Sequence, residues 1–186
     1  TAGALIASTA DASPLVTPGE AVPGFTTTNS NGEPVSLSDF AGKTVVLEWT
    51  NDGCPFVQKH YATPPANMQT LQSYAGADDV VWLSVISSAS GKQGITAVRD
   101  AMPTHVLLDE AGDVGRLYDA KTTPHMYVIR SDGTLAYEGA IDSKPSARVE
   151  DIADATNYVR AALDSVAAGE AVAVPSSKPY GCSVKY

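Results

Sequence analysis

The chain has 186 residues, and 44% of them are hydrophobic, enough for one domain with a core of ordinary size. Lys and Arg number 12 against 21 Asp and Glu, a net charge of −9, and no long basic run occurs, so nucleic acid and anionic membrane surfaces are poor partners. No apolar run approaches the roughly 18 residues that a membrane-spanning helix needs.

Residues 1–20 lack periodicity and contain Pro14, Pro18 and Gly19, which predicts a flexible arm. The opening TAGALIASTADASP places apolar GALIA before small residues, with Ala10-Asp11-Ala12 in a small-x-small cleavage pattern. It reads as the remnant of a secretory signal and predicts a periplasmic or secreted location, where disulfides persist. AVPGFTTTNSNGEPVSLSDFAGK predicts short strands around Asn31-Gly32, then one helical turn. KTVVLEWT, 43–50, is a buried strand by its β-branched apolar run. A helical pattern runs from Cys54 to about Tyr74, with a break expected at Pro64-Pro65 because proline removes a donor and clashes with the preceding turn. DVVWLSVIS, 79–87, reads as a strand, QGITAVRDAM, 93–102, as a helix, THVLLD, 104–109, as a strand, and a short helix lies near 111–118. HMYVIRSDGTLAYEGAI predicts a hairpin around Ser131-Asp132-Gly133. One long helix is predicted over 148–166, where Val149, Ile152, Val159, Leu163 and Val166 recur at helical spacing before Gly169. The organisation is thus an arm (1–20), a domain (21–168) and a tail (169–186) that carries Cys182. Alternation of strands and helices implies parallel pairing with an antiparallel closing hairpin, a three-layer α/β/α sandwich around a mixed central sheet.

LSDFAGKTVVLEW, CPFV, VVWLSVISS, LLDEAGDVGRLYDA, TTPHMYVI and DGTLAYEGAID occur in this order over roughly residues 20–168. The series resembles the thioredoxin fold and, within it, the redoxin branch of alkyl hydroperoxide reductase/thiol-specific antioxidant (AhpC/TSA)-like proteins. Cys54 then stands at a helix N-terminus, where unsatisfied N–H groups and the helix dipole favour the thiolate, the form that attacks disulfides and peroxides. Pro55 follows at the first helical position, where its missing N–H costs nothing. An inert buried cysteine is the competing reading. Thioredoxins carry a second cysteine three residues on, where this chain has Val57. Cys182, four residues from the C-terminus in KPYGCSVKY, is the other thiol available within the chain. The tail after Gly169, at roughly 3.3 Å per residue, spans about 40 Å and permits contact. The pair has two readings, a catalytic and resolving couple or a permanent staple worth on the order of 4–5 kcal/mol in the chain-entropy account, and an intermolecular disulfide is a third alternative.

The resemblance implies more roles. Glu48 takes the position of a buried thioredoxin acid that moves protons, with a solvent-facing strand end as the alternative. Thr123-Pro124 takes the place of the cis-proline dipeptide that lies against the reactive cysteine and offers backbone bonds to an extended substrate. Pro55 and Phe56 are candidate substrate contacts, although core packing competes for Phe56 as for Trp49, Tyr61 and Trp82. His125, next to Pro124, and Asn51 are candidate electrostatic neighbours of the thiol. Lys59 reads as a solvated helix charge. A soft-metal site built from Cys54, His60 and His125 has no ligand spacing to support it, so neither metal nor other cofactor is expected.

Peroxiredoxins use Pro-x-x-x-Thr-x-x-Cys and a later Arg. Here the proline position holds Leu47, the threonine position Asn51, and the arginine position Pro124. These departures favour thiol–disulfide exchange with protein or small-molecule thiols and disulfides, with an external thiol reductant. A peroxidase acting on hydroperoxides is the first alternative, since a remote resolving cysteine is the arrangement of two-cysteine peroxidases. A non-catalytic binding module stapled by Cys54–Cys182 is the second.

Overall fold

The computed structural model describes residues 16–62, 67–92 and 103–186. The expectations for the start of the arm, for the Pro64-Pro65 break and for a helix over 93–102 lie outside the described residues.

The described chain opens with a hairpin of β1 (Thr26–Asn29) and β2 (Pro34–Ser36). Its turn is built by Asn29, whose Oδ1 accepts the N–H groups of Asn31 (2.9 Å) and Glu33 (3.0 Å), and by Gly32, whose φ of +85° is open to glycine. One 3-10 turn, Leu37–Phe40, leads to β3 (Val45–Trp49). Then follow α1 (Pro55–Tyr61), α2 (Asn67–Ala77), β4 (Val81–Ile86), β5 (His105–Leu108), α3 (Asp113–Leu117), β6 (Thr122–Thr123), β7 (His125–Ile129), β8 (Leu135–Gly139), α4 (Tyr158–Ala167) and β9 (Cys182–Ser183). Seven strands form one mixed sheet in the order β2-β1-β5-β4-β3-β7-β8. The central β3, β4 and β5 are parallel, and a hairpin closes each edge by antiparallel pairing. The α/β architecture read from the sequence is therefore the observed one.

The period-2 alternation of β3 divides the core. Val45, Leu47 and Trp49 join Leu83, Val85, Tyr118, Tyr127 and Ile129 on the α3 face. Val46 joins Trp82, Met126, Val128 and residues of α1, α2 and α4 on the other. Both strand faces are covered, which is why β3 and β4 are buried along their whole length.

The predicted helix over 148–166 is two pieces. Val149–Ile152 is a 3-10 turn, and α4 begins only at Tyr158. Between them the α-helical ladder lapses and the segment is tied to the loop after β8: Ser143 N–H to Thr156 O (3.1 Å), Thr156 N–H to Ser143 Oγ (3.0 Å) and Tyr158 N–H to Ile141 O (3.0 Å). The spacing of apolar residues continues across this break, with Val149 and Ile152 half-buried and Val159 and Leu163 buried. Asn157 caps α4, its Oδ1 accepting the Arg160 N–H at 2.9 Å, and Gly169, with φ +71°, ends it.

After α4 the tail lies on the domain. Its 175–177 segment bonds with β8, the Glu138 N–H donating to Pro175 O and the Ser177 N–H to Glu138 O, both at 3.1 Å. Cys182–Ser183 pairs with β6, and Tyr186 ends against α3, where its hydroxyl donates to Ala120 O at 2.8 Å. Replacing Asn157 by Ala removes the α4 cap and is expected to lower stability by about 1 kcal/mol, read from urea denaturation midpoints at unchanged m-value.

Candidate functional site

The site begins where β3 ends. Asn51 makes the turn: its Oδ1 accepts the Gly53 N–H at 2.9 Å and its carbonyl accepts the Cys54 N–H at 3.1 Å. Asn51 is buried, and its role is to shape the backbone that delivers Cys54. Cys54 is the N-cap of α1 in extended conformation, with Pro55 at the first helical position. The Cys54 side chain is buried, with 0% exposure, and its thiol donates to the Thr123 carbonyl oxygen at 3.1 Å. The Thr123-Pro124 peptide is cis.

The tail closes this site. In the β6–β9 pairing Thr123 stands opposite Cys182. Gly181 sits directly on Thr123, with φ +145°, and a Cβ there would collide with the Thr123 carbonyl oxygen. Only glycine lets the tail come this close. Both cysteines are free thiols, and Cys182 packs into the same apolar cluster as Cys54. Burial alone pushes the Cys54 thiol up. Hydrogen bonds from the Cys182 thiol and backbone, the Val57 N–H and Thr123 outweigh that and hold it below its ordinary value. Cys182 moves the other way, to about 11, through burial, its hydrogen bond to Cys54 and the charge of Cys54, with Lys185 opposing. Of the two thiols, Cys54 is therefore the more readily ionised.

Lys59 is not the solvated charge that its helical position suggested. It is buried at 2% exposure, with Nζ 3.5 Å from Asp142 Oδ2 and donating to Lys144 O at 3.0 Å. His60 is also buried against Asp142, and desolvation, aided by Lys59 and opposed by Asp142, lowers it to about 4, so it is neutral at pH 7. Tyr180 of the tail enters this cluster, its hydroxyl donating to Asp142 Oδ1 at 2.5 Å and its ring meeting Phe56 edge-on at 6.0 Å.

Glu48 is fully buried on the same side of the sheet as α1 and α2. Its carboxylate accepts from Trp82 Nε1 (2.8 Å), Tyr61 OH (2.9 Å), Ser84 Oγ (3.0 Å) and, more distantly, Gln72 Nε2 (3.5 Å). Burial raises its pKa, and the Trp82, Tyr61 and Ser84 bonds partly offset the rise. The groups that act on the Cys54 thiol are Cys182, Val57 and Thr123; Glu48 is not among them. His125 pairs in register with Trp49 and therefore points to the α3 face, away from Cys54. There its ring stacks near Tyr127 (4.6 Å) and contacts Glu138 at 3.3 Å. Cys54, Pro55, Thr123, Pro124 and Cys182 thus converge, Phe56 reaches the site through Tyr180, and Glu48 and His125 stand apart. Asp142, Tyr180 and Gly181 were not singled out from the sequence, where the visible signal was Tyr180-Gly181 beside a cysteine. Among the described residues no group of three or more His, Cys, Asp or Glu is arranged to hold a metal ion. Nor is any helix among them long and apolar enough to cross a membrane.

The family model of the AhpC/TSA family matches residues 18–138. An uncharacterized conserved protein from Geobacillus kaustophilus is 26% identical, with a TM-score of 0.72 over 91% of this chain and 92% of that one. A hypothetical protein from Sinorhizobium meliloti is 20% identical, with a TM-score of 0.69 over 92% and 95%. A Chlorobium tepidum structure described as a thiol:disulfide interchange protein DsbE is 26% identical, with a TM-score of 0.52 over 66% and 84%. No curated protein matches the chain.

The Glu48 environment sets a pH slope. Its native pKa lies above the unfolded value near 4.5, so over that interval the native state holds a proton the unfolded chain has released. Stability contributed by the protonated form is full below 4.5 and is lost as pH rises. Denaturation of wild type and Glu48→Gln across pH 4 to 8 is expected to show the wild type losing stability relative to the variant as pH increases.

Proposed function

The chain belongs to the AhpC/TSA family, and from that premise we propose that it is a thiol–disulfide oxidoreductase with Cys54 as nucleophile and Cys182 as resolving thiol. The observation that carries this reading is the contact of the two thiols with opposite shifts in acidity. A lowered thiol gives up its proton more readily for attack, and a raised one holds its proton longer.

The electron balance is simple. The Cys54 thiolate attacks a disulfide R–S–S–R′, forming Cys54–S–S–R and releasing R′–S⁻. Cys182 then attacks the Cys54 sulfur, forming the Cys54–Cys182 disulfide and releasing R–S⁻. The substrate gains two electrons, the protein loses two, and an external thiol reductant restores the dithiol. Cys182 is raised by burial and by its bond and charge contact with Cys54. The last two vanish when Cys54 enters a mixed disulfide, so Cys182 becomes more acidic at the step in which it must attack. The exposed Pro55 borders the sulfur and is the open surface for a partner, while the cis Thr123-Pro124 peptide is buried and already paired with the tail. A working disulfide couple suits a compartment where disulfides persist, which supports a periplasmic or secreted place for it.

One observation favours a second reading. With the tail docked, Cys54 has no exposed surface, and a hydroperoxide is small enough to reach a sulfur that a folded protein disulfide cannot. In that reaction ROOH oxidises Cys54 to the sulfenic acid with release of ROH, and Cys182 condenses with it to give the disulfide and water.

Insulin reduction with a thiol reductant, against peroxide-dependent reductant consumption, separates the two; insulin reduction without peroxide is the expected result, and peroxide-dependent turnover alone overturns it. Cys54→Ser is expected to reduce either activity to background. Cys182→Ser is expected to stop at a mixed disulfide of one substrate half per chain, visible by mass. Cys54 unreactive toward alkylation even in the fully reduced protein would remove the thiol chemistry altogether.

A further inference from the structure

Strand β9 has two residues, and its ladder with β6 is too short to hold a register by itself. Yet register decides whether Cys182 can meet Cys54, because a slip of one residue turns every strand side chain to the opposite face. The structure holds the strand from outside. Two residues before Cys182, Tyr180 is seated in a pocket made by α1 and the loop after β8. Its hydroxyl donates to Asp142 Oδ1 at 2.5 Å and lies 3.4 Å from both Lys59 Nζ and His60 Nε2. Its ring lies under the Lys59 ammonium, 5.5 Å from the centroid, and edge-on to Phe56. The Lys59 and Asp142 side chains are 0% and 1% exposed, so this receptor is dry and its geometry well defined.

Phe56, Lys59 and His60 share a face of α1, by their spacing of three and four, and the N-cap of that helix is Cys54. Tyr180 is therefore bolted to the element that carries the other cysteine. Two extended residues further on, roughly 7 Å of chain, the tail crosses Thr123 at Gly181 and presents Cys182.

We propose that Tyr180 is a positioning residue for Cys182: docked on the buried Lys59–Asp142 pair, it sets the register of β9 on Thr122–Thr123 and so brings the two sulfurs together. This rests on the reading of Cys54 and Cys182 as a redox couple. The relevant equilibrium is protein dithiol plus oxidised glutathione giving protein disulfide plus two reduced glutathione, in which two protein thiols are oxidised and one glutathione disulfide is reduced.

The test measures that equilibrium constant and the ionisation midpoint of Cys54 by thiolate absorbance, in the full chain, for wild type, Tyr180→Phe and Tyr180→Ala. Loss of the anchor lowers the effective concentration of Cys182 at Cys54. The constant is expected to fall about tenfold or more in Tyr180→Ala and by a smaller factor in Tyr180→Phe, which keeps the ring and loses the charge-assisted bond. The Cys54 midpoint is expected to rise in Tyr180→Ala, because the Cys182 donors leave the sulfur. A residue that only adds stability would lower the melting temperature and leave both quantities unchanged. Should Tyr180→Ala fail to fold, Tyr180→Phe carries the test. A wild type that forms no Cys54–Cys182 disulfide at any glutathione ratio overturns the redox couple. A wild type that forms it, with variants of equal constant and equal midpoint, overturns the positioning role alone.

Discussion

The short antiparallel contact between Cys182–Ser183 and Thr122–Thr123 is the constraint on which the rest of the site depends. It lays the tail over the cis Thr123-Pro124 peptide, buries Cys54 and gives each sulfur the other as its polar neighbour. An apolar pocket by itself would make Cys54 a poorer acid. The donors that reverse this effect arrive largely with the tail, so the acidity of Cys54 and the covering of Cys54 have one structural cause. Closeness of approach at Thr123 is permitted by Gly181, since a side chain there would collide with the Thr123 carbonyl.

A contact of this size needs supports, and they lie on both sides of it. Upstream, Tyr180 enters a buried cluster of Lys59, His60 and Asp142. Downstream, the Ala89 N–H donates to Lys185 O at 2.9 Å, Arg116 covers the Tyr186 ring at 4.7 Å, and Gly112 and Gly115 leave room for that ring. Removing one partner of a buried ion pair is costly because it strands the other, so the Lys59–Asp142 pair favours a single arrangement. Glu48 shows the same logic in a different place: a carboxylate inside the core, kept there by donors from α1, α2 and β4. The protein thus holds two buried acids on one side of its sheet, one tied to the tail and one tied to the core.

Strand identity was legible where apolar runs were long. Val45–Trp49 and Val81–Ile86 are buried on both faces, and their β-branched, uninterrupted character announces it. The hairpin turns were legible from Asn31-Gly32 and Asp132-Gly133, since a left-handed backbone nearly demands such residues. The helix over 148–166 was misread because apolar spacing reports which side faces the core and says nothing of where the backbone stops bonding to itself. The break at 153–157 is made by bonds from Ser143 and Ile141, residues near in space and remote in order. Lys59 was misread for a related reason: a lysine on a helix is exposed by default, and only a carboxylate from another element can hold it inside.

By itself the sequence determined the α/β class, the parallel centre with an antiparallel closing hairpin, and Cys54 at a strand-to-helix junction followed by proline, because these follow from local propensity and periodicity. It also determined that a second thiol exists on a tail long enough to reach. Tertiary structure alone decided that the tail lies on Thr123 with Cys182 at the sulfur, that Glu48 bonds within the core, and that His125 faces the other side of the sheet. Those outcomes turn on distances between elements far apart in the chain, which the order of residues does not encode locally and which close packing settles only when all of them are in place.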